Sequence, residues 1–363
     1  MKSRLMDVMG DALGLVKQGD LAGATQRLRE ALAHGRPAPR GERADSAPPA
    51  RRSIGESLGA LRALRQIMPA PSRARQKPSP EVVDPNFTAR SWRGEGGALN
   101  YRLYVPADSA QRNLALVMML HGCTQNPEDF ALGTRMNALA DEFGLIVAYP
   151  HQPRGANPSG CWNWFDKRHQ NRGAGEPAKL AGLAQSLQRE FGVSRERTFV
   201  AGLSAGGAMA EVLGATYPDV FEAVGIHSGL PYKAAGDVAS AFSAMRNGAA
   251  GAPAPRLASQ YECRKIIFHG GADATVHPDN ARRLVEQANG VDPASEPTQL
   301  DWQIDGGRVE RTVARDSAGR ALVESYLVEG GAHAWFGGDA RGTYTQRVGL
   351  DASRVMVRFF LQH

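Results

Sequence analysis

The sequence is poor in cysteine and in long apolar runs, and each shortage excludes a class of protein. Three cysteines in 363 residues are too few for a fold built on disulfides. No run approaches the roughly 18 apolar residues of a membrane-spanning helix. The N-terminus lacks the pattern of a secretory signal, since Asp7 and Asp11 interrupt its apolar residues. We therefore expect a globular protein of the cytoplasm.

The positive charge of the chain is concentrated in one segment. The net charge is +6, yet residues 36–80 alone hold ten Lys and Arg residues against three Asp and Glu. The same segment contains no aromatic residue, so it lacks the side chains on which nucleic-acid bases stack. The remainder of the chain is close to neutral, and we expect no nucleic-acid partner.

Composition and periodicity divide the chain into three parts. Residues 1–35 have the apolar spacing of two short amphipathic helices, predicted to form a hairpin that caps the fold or mediates a homodimer. Residues 36–81 are rich in Pro and Arg and predict a linker with a short helix at 54–67. Residues 82–363 carry the ordinary composition of a folded domain.

In this third part strands and helices alternate, which predicts an α/β fold with a mostly parallel, doubly wound sheet and an N-terminal helical extension. Strands are expected at 87–92, 99–105, 114–120, 145–149, 199–201, 221–227, 265–269, 299–304, 309–314 and 322–327. Helices are expected at 130–143, 177–191, 208–216, 279–289 and 353–361. A long Trp-rich loop at 150–175 and a small-residue insertion at 232–256 interrupt the alternation.

The segment around Ser204 predicts a catalytic nucleophile. A short apolar strand leads into GLSAG at residues 202–206, and a helical pattern follows at once. A serine on such a sharp strand-to-helix turn is exposed above the sheet, and the flanking glycines let neighbouring backbone pass closely. The string also occurs by chance in glycine-rich connections, so the rest of the chain has to supply a base, an acid and an oxyanion hole.

An acid and a base follow Ser204 in the order that such serine hydrolases use. Asp273 comes just after the strand at 265–269, at the sheet edge where catalytic groups collect. His333 lies on a glycine-rich loop after the last strand. We assign Ser204 as nucleophile, Asp273 as orienting acid and His333 as base.

Other residues compete for these roles. His277 and Asp279 lie close behind Asp273, but a loop histidine and a helix-capping aspartate are the simpler interpretation. His227 and His269 belong to strands, where a packed histidine is more common than a catalyst.

The oxyanion hole is predicted from backbone N–H groups. HGC at residues 121–123 follows a buried strand, and Gly122 allows the chain to turn inward. We assign the two donors to Cys123 and Ala205 and expect a structural role for His121.

Five segments together resemble the poly(3-hydroxybutyrate) depolymerase family of esterases, which is related to feruloyl and acetylxylan esterases. They are HGCTQ (121–125), CWNWF (161–165), GLSAGG (202–207), FHGGAD (268–273) and GAHAW (331–335). The resemblance spans residue 85 to the C-terminus. It implies an α/β-hydrolase fold and gives Ser204, Asp273 and His333 the same triad roles.

The resemblance also implies further site residues. Trp162, Trp164 and Trp335 are expected to line a groove for the acyl chain or polymer, with core packing as the alternative for Trp162. A disulfide between Cys123 and Cys161 is our hypothesis, although a cytoplasmic location argues against it.

The implied activity is that of a serine esterase that cleaves 3-hydroxyacyl esters, polymeric or oligomeric, without metal or cofactor. A carbohydrate esterase for feruloyl or acetyl groups is the enzymatic alternative. An alternative of another class is a protein that binds polyester granules through residues 1–80. Lys233 stands where many secreted relatives have a further Gly-Cys pair, and a polymer-binding domain is not evident. These departures favour action inside the cell over extracellular polymer degradation.

Overall fold

A computed structural model describes residues 84–94, 96–111, 113–251, 263–289, 297–305 and 307–362. The predicted hairpin at 1–35 and linker at 36–81 lie outside these residues and stay predictions. The strands are β1 (Phe87–Gly94), β2 (Gly97–Tyr104), β3 (Ala115–Leu120), β4 (Leu145–Pro150), β5 (Thr198–Leu203), β6 (Ala223–His227), β7 (Arg264–Gly270), β8 (Thr298–Ile304), β9 (Gly307–Arg315), β10 (Ala321–Val328), β11 (Trp335–Phe336) and β12 (Thr345–Gln346). The helices are α1 (Pro127–Thr134), α2 (Met136–Phe143), α3 (Gly175–Phe191), α4 (Ala205–Thr216), α5 (Val238–Asn247), α6 (Asp279–Asn289) and α7 (Ala352–Leu361).

Within the described ranges, strands β1 to β10 form one sheet in the order β1-β2-β4-β3-β5-β6-β7-β10-β9-β8. The central strands from β4 to β10 run parallel, whereas β1 and β2 on one side and β9 and β8 on the other pair antiparallel. This is the α/β-hydrolase fold that the sequence predicts. None of the helices in these ranges is long and apolar enough to span a membrane.

Helices cover both faces of the sheet, which explains why strands such as β3 and β4 are apolar throughout. In β3, Leu116, Met118 and Leu120 belong to a core that α3, α4 and α6 complete. The alternate residues Val117 and Met119 belong to a second core with α1, α2 and α7. Period-2 alternation therefore fills two cores from one strand.

The helix predicted at 130–143 is two helices, and this prediction was wrong in its continuity. Arg135 adopts the left-handed conformation (φ 57°, ψ 22°) between α1 and α2. The Thr134 carbonyl accepts a hydrogen bond of 2.6 Å from Ser353 Oγ, and Thr134 Oγ1 donates to the Phe130 carbonyl at 2.8 Å. These side-chain bonds replace the helical ladder at that turn.

Candidate active site

Ser204 occupies a strained turn between β5 and α4. Its backbone angles are φ 58° and ψ −118°, a region that side-chain-bearing residues rarely enter. Its N–H donates to the His227 carbonyl at 2.8 Å, and its own carbonyl accepts from Ala208 N–H at 2.9 Å, in the first turn of α4. The turn is therefore held from both sides, and such enforced strain is typical of functional positions.

Two glycines are required for this turn. A Cβ atom on Gly206 would lie 2.0 Å from the carbonyl oxygen of Leu120, and one on Gly202 would lie 2.3 Å from the backbone of Gly206. Both contacts are far shorter than real Cβ atoms show, and backbone cannot move aside cheaply. Strand β3, β5 and the start of α4 thus approach each other only because neither position has a side chain.

Asp273 and His333, from the loops after β7 and β10, meet at this edge of the sheet. His333 Nδ1 donates to Asp273 Oδ2 at 2.7 Å, while Oδ1 accepts from the N–H groups of Thr275 and Val276 at 2.9 and 2.8 Å. Burial by itself raises the pKa of Asp273, but the hydrogen bond from His333 and the backbone donor of Val276 outweigh it and lower the pKa to about 2. The pair is therefore an ionised carboxylate that orients an imidazole.

Because Nδ1 of His333 faces Asp273, its other ring nitrogen, Nε2, is turned away from the carboxylate. Among the described residues no hydrogen bond joins Ser204 Oγ to His333. Bonds between nucleophile and base are often long in ligand-free sites and tighten when substrate binds. The structure thus brings Asp273 and His333 together and leaves the third link open.

The two predicted oxyanion donors share one property. Within the described part of the chain, neither the N–H of Cys123 nor that of Ala205 has a hydrogen-bond acceptor. Buried backbone N–H groups are almost always paired, and both residues are buried and border the same cleft as Ser204. Two donors without acceptors beside a serine can stabilise a negative oxygen on a substrate.

His121 and Gln125 hold the loop that carries Cys123. His121 Nδ1 donates to the Gly122 carbonyl at 2.8 Å, and Nε2 accepts from Gln152 N–H at 3.2 Å. Complete burial lowers the pKa of His121 to about 4, so the ring is neutral and structural. Gln125, to which the sequence assigned no role, accepts from Gly122 N–H at 2.9 Å. Its position in the HGCTQ segment was the sequence feature that could have indicated this role.

The Trp-rich loop is tied to this loop. Cys123 and Cys161 form a disulfide, and Thr124 N–H donates to the Ser159 carbonyl at 2.8 Å. The buried Glu176 carboxylate at the start of α3 accepts from Asn163 N–H at 2.8 Å. The long connection at 150–175 is thus an ordered wall of the site.

The three tryptophans predicted to line the substrate groove occupy different surroundings. Trp164 borders the cleft. Trp162 is fully buried and donates from Nε1 to the His121 carbonyl at 3.1 Å. Trp335 is 1% exposed, donates to Ser353 Oγ at 2.9 Å and stacks on His227. Trp162 thus takes the core-packing alternative, and the prediction of a groove position was wrong for Trp335, because both indole N–H groups are satisfied inside the core.

A narrow apolar cleft begins at Ser204. Its walls come from Trp164 and Phe165 of the Trp-rich loop and from Phe242 and Met245 of α5. The enclosed volume of the cleft is about 30 Å³. The cleft can therefore take a short, slender apolar chain attached to a carbonyl at Ser204.

The competing residues have other partners. The exposed His277 accepts from Asp279 N–H at 3.2 Å, and Asp279 begins α6. His227 is buried and accepts from Phe336 N–H at 3.2 Å, while burial holds its pKa well below the ordinary value. His269 donates from Nε2 to the Val276 carbonyl at 2.8 Å. These roles are structural, as the sequence suggested.

The described residues contain no group of three or more His, Cys, Asp or Glu side chains that could hold a metal ion.

Comparison with known proteins places this geometry in a family. The model of the family described as Esterase PHB depolymerase matches residues 99–310, more than half of the chain. Poly(3-hydroxyalkanoate) depolymerase C of Paucimonas lemoignei is 33% identical over 246 residues, 65% of this chain and 58% of its own length. Feruloyl esterase B of Neurospora crassa is 31% identical over 216 residues, 55% of this chain and 73% of its own length. The chain thus spans little more than half of the first of these relatives.

The fold is also found among solved structures. The acetyl xylan esterase from Aspergillus awamori superposes with a TM-score of 0.60 at 20% identity, covering 75% of this chain and 98% of that one. This likeness concerns the fold. The match of the family model over more than half of the chain shows that the chain belongs to the PHB depolymerase family of esterases.

Proposed function

We propose that the protein hydrolyses carboxylic esters, with Ser204 as nucleophile, His333 as general base and Asp273 as the acid that orients it. The observation that carries the proposal is the pair of acceptor-free N–H groups at Cys123 and Ala205, which share the cleft of a serine on a strained turn. The hydrogen bond from His333 to Asp273 adds the tautomer that a base requires, with Nε2 unprotonated.

In the proposed reaction Ser204 Oγ attacks the ester carbonyl and His333 Nε2 takes its proton. The carbonyl oxygen becomes an oxyanion that accepts from Cys123 N–H and Ala205 N–H. His333 then donates its proton to the departing alcohol as the carbon–oxygen bond breaks, leaving an acyl-enzyme. Water attacks the acyl group with His333 again as base, which releases the acid and restores Ser204.

The acyl group is proposed to be of the 3-hydroxyacyl type, as in oligomers or polymers of 3-hydroxybutyrate. The almost wholly apolar lining of the cleft at Ser204 suits the carbon chain of such an acyl group. The name of the Paucimonas lemoignei relative, a poly(3-hydroxyalkanoate) depolymerase, supports the same class.

Removal of acetyl groups from carbohydrate is the second candidate, because an acetyl group also fits a narrow apolar cleft. A substrate panel separates the candidates: a methyl-esterified 3-hydroxybutyrate dimer, an acetylated xylose and methyl ferulate, compared by kcat/KM. We expect the dimer to be preferred and methyl ferulate to be poorest. A preference for methyl ferulate would contradict the proposed substrate class, and a preference for acetylated xylose would favour the second candidate.

For location, we propose action in the cytoplasm at the surface of polyester granules, with residues 1–80 as the attachment segment. Support comes from the amphipathic pattern at 1–35 and the basic residues at 36–80. Co-sedimentation with granules should fall when residues 1–80 are removed, and unchanged binding would defeat the idea.

A further inference from the structure

Two residues with unusual backbones meet beside the proposed base. Thr124 has φ 67° and Tyr344 has φ 52°, although neither is glycine and Thr is β-branched. Left-handed conformations are genuine outliers for such residues. They belong to different loops, Thr124 to the one that follows β3 and Tyr344 to the one between β11 and β12.

Their positions are enforced by the surrounding structure. Gln125 donates from Nε2 to the Thr343 carbonyl at 3.1 Å, which ties the two loops together. Thr343 N–H donates to Asp129 Oδ1 at 2.9 Å, and the Tyr344 carbonyl accepts from Trp335 N–H at 2.7 Å. These bonds hold the two loops, and so Thr124 and Tyr344, beside each other.

The two hydroxyl groups keep most of their hydrogen-bonding capacity. Thr124 Oγ1 and Tyr344 Oη are 3.3 Å apart, which is long for a bond between hydroxyls. Within the described ranges this is the only side-chain hydrogen bond of either residue. Thr124 is exposed and Tyr344 half-buried, so an oxygen atom of a ligand can reach both.

Their location corresponds to the side of the departing alcohol. The Tyr344 ring lies edge-on to the His333 ring with centroids 6.4 Å apart. Neither residue lines the apolar cleft beside Ser204, which the acyl group is proposed to occupy. Since the base must hand its proton to the leaving group, the alcohol leaves on the His333 side, toward Tyr344.

We propose that Thr124 and Tyr344 form a leaving-group subsite, in which their hydroxyls bind an oxygen atom carried by the alcohol part of the ester. That oxygen is the carbonyl of the next unit in a 3-hydroxyacyl chain or a hydroxyl of a sugar. The subsite rests on the proposed function, which supplies the identity of Ser204 and His333. It selects esters whose alcohol carries a second oxygen over simple alkyl esters.

The test compares leaving groups while the acyl group stays the same. The full chain hydrolyses ethyl 3-hydroxybutyrate and the methyl-esterified 3-hydroxybutyrate dimer as one pair, and ethyl acetate and acetylated xylose as the other. Wild type should prefer the oxygen-bearing member of at least one pair. Tyr344→Phe and Thr124→Val, which keep ring and branching, should each reduce that preference about tenfold, the effect of one lost hydrogen bond, through KM. A response in the 3-hydroxybutyrate pair would identify the oxygen as the carbonyl of the next acyl unit, and a response in the acetate pair would identify it as a sugar hydroxyl.

Tyr104→Phe is the matched control, because it removes a hydroxyl that donates to Asp141 at 2.8 Å in α2 and should leave the preference unchanged. Equal losses on both members of a pair, or no loss, would overturn the subsite, as would a wild type without preference. Ser204→Ala distinguishes the two proposals. If that variant keeps activity, the proposed function fails. If it is inactive while Tyr344→Phe keeps the preference, the subsite alone fails.

Discussion

The disulfide between Cys123 and Cys161 connects the loop of the oxyanion donor to the Trp-rich loop, and removing it should affect stability more than activity. The double variant Cys123→Ala and Cys161→Ala cuts the connection yet keeps the backbone N–H at position 123. The two cysteines are 38 residues apart. In the chain-entropy account, a disulfide that closes a loop of this length raises the free energy of unfolding by about 4 kcal/mol. Removing the disulfide should lower that free energy by the same amount.

Activity should fall by less than about tenfold, because other bonds hold the same loops. Thr124 N–H still donates to the Ser159 carbonyl at 2.8 Å, and Trp162 Nε1 to the His121 carbonyl at 3.1 Å. Each is worth about 1 kcal/mol net, enough to keep the loop in place most of the time. Urea unfolding measures the first effect, and kcat on a short p-nitrophenyl ester the second.

Reductant provides the internal control for this variant. It should destabilise the wild type by the same amount and leave the double variant unchanged. A loss of stability below about 1 kcal/mol, or a collapse of kcat with intact folding, would refute the reasoning. Intact mass under non-reducing conditions checks the premise, since the bonded protein is two hydrogens lighter. It also bears on the cytoplasmic proposal, because structural disulfides persist mainly in oxidising compartments.

Three further predictions follow from the site. Asp273→Asn should lower kcat about 10⁴-fold at neutral pH, where the carboxylate with its pKa of about 2 is ionised, because the amide favours the wrong tautomer of His333. Gly206→Ala should yield little folded protein, since its Cβ would lie 2.0 Å from the Leu120 carbonyl oxygen. Stability should fall as pH drops from 6.5 to 4, because the pKa of His121 is about 4 in the folded protein and about 6.5 in the unfolded chain, which therefore binds a proton first. His121 alone should lower the free energy of unfolding by about 2 kcal/mol between pH 7 and pH 5.

Each of these has a control. Asp273→Asn should stay folded but lose about 2 kcal/mol of stability at neutral pH, because the ionised carboxylate with its pKa of about 2 stabilises the fold; a fold that collapses would point to a mainly structural role. Soluble, active Gly206→Ala protein would contradict the close approach of strand and helix. His277→Gln should keep the pH dependence of stability, because His277 is exposed. A flat stability profile from pH 7 to pH 5 would disprove the burial argument.

The sequence predicted the sheet well because central strands such as β3 and β4 are apolar on both faces. The continuous run at 114–120 became β3 at Ala115–Leu120, and the alternation of strand and helix predicted the parallel order. The break at Arg135 was not predictable, since Ser353, which caps the Thr134 carbonyl, is more than 200 residues away. Such long-range bonds leave no local pattern.

The positions of Ser204, Asp273 and His333 could be predicted from the sequence, because each follows a strand whose end lies at the same edge of the sheet. The structure brings Asp273 and His333 into contact, while their catalytic roles stay predictions. The sequence did not show which tryptophans line the groove, because an aromatic residue in a motif can contact substrate or pack in the core. Only the hydrogen bonds of Trp162 and Trp335 decide between them.

Helix α5 and Tyr344 were missed for different reasons. The segment at 232–256 looked like a small-residue insertion, yet Asp237 and Ser240 form a capping box that starts α5, and that spacing was a usable signal. Tyr344 acquires its position from Gln125, Thr343 and Trp335. No local sequence pattern around Tyr344 predicts this position.

Hydrolysis of a short p-nitrophenyl ester by Ser204→Ala tests most directly whether Ser204 is the nucleophile. We expect kcat to fall at least about 10⁴-fold while the urea unfolding curve stays close to that of the wild type. Near wild-type hydrolysis by this variant would contradict it.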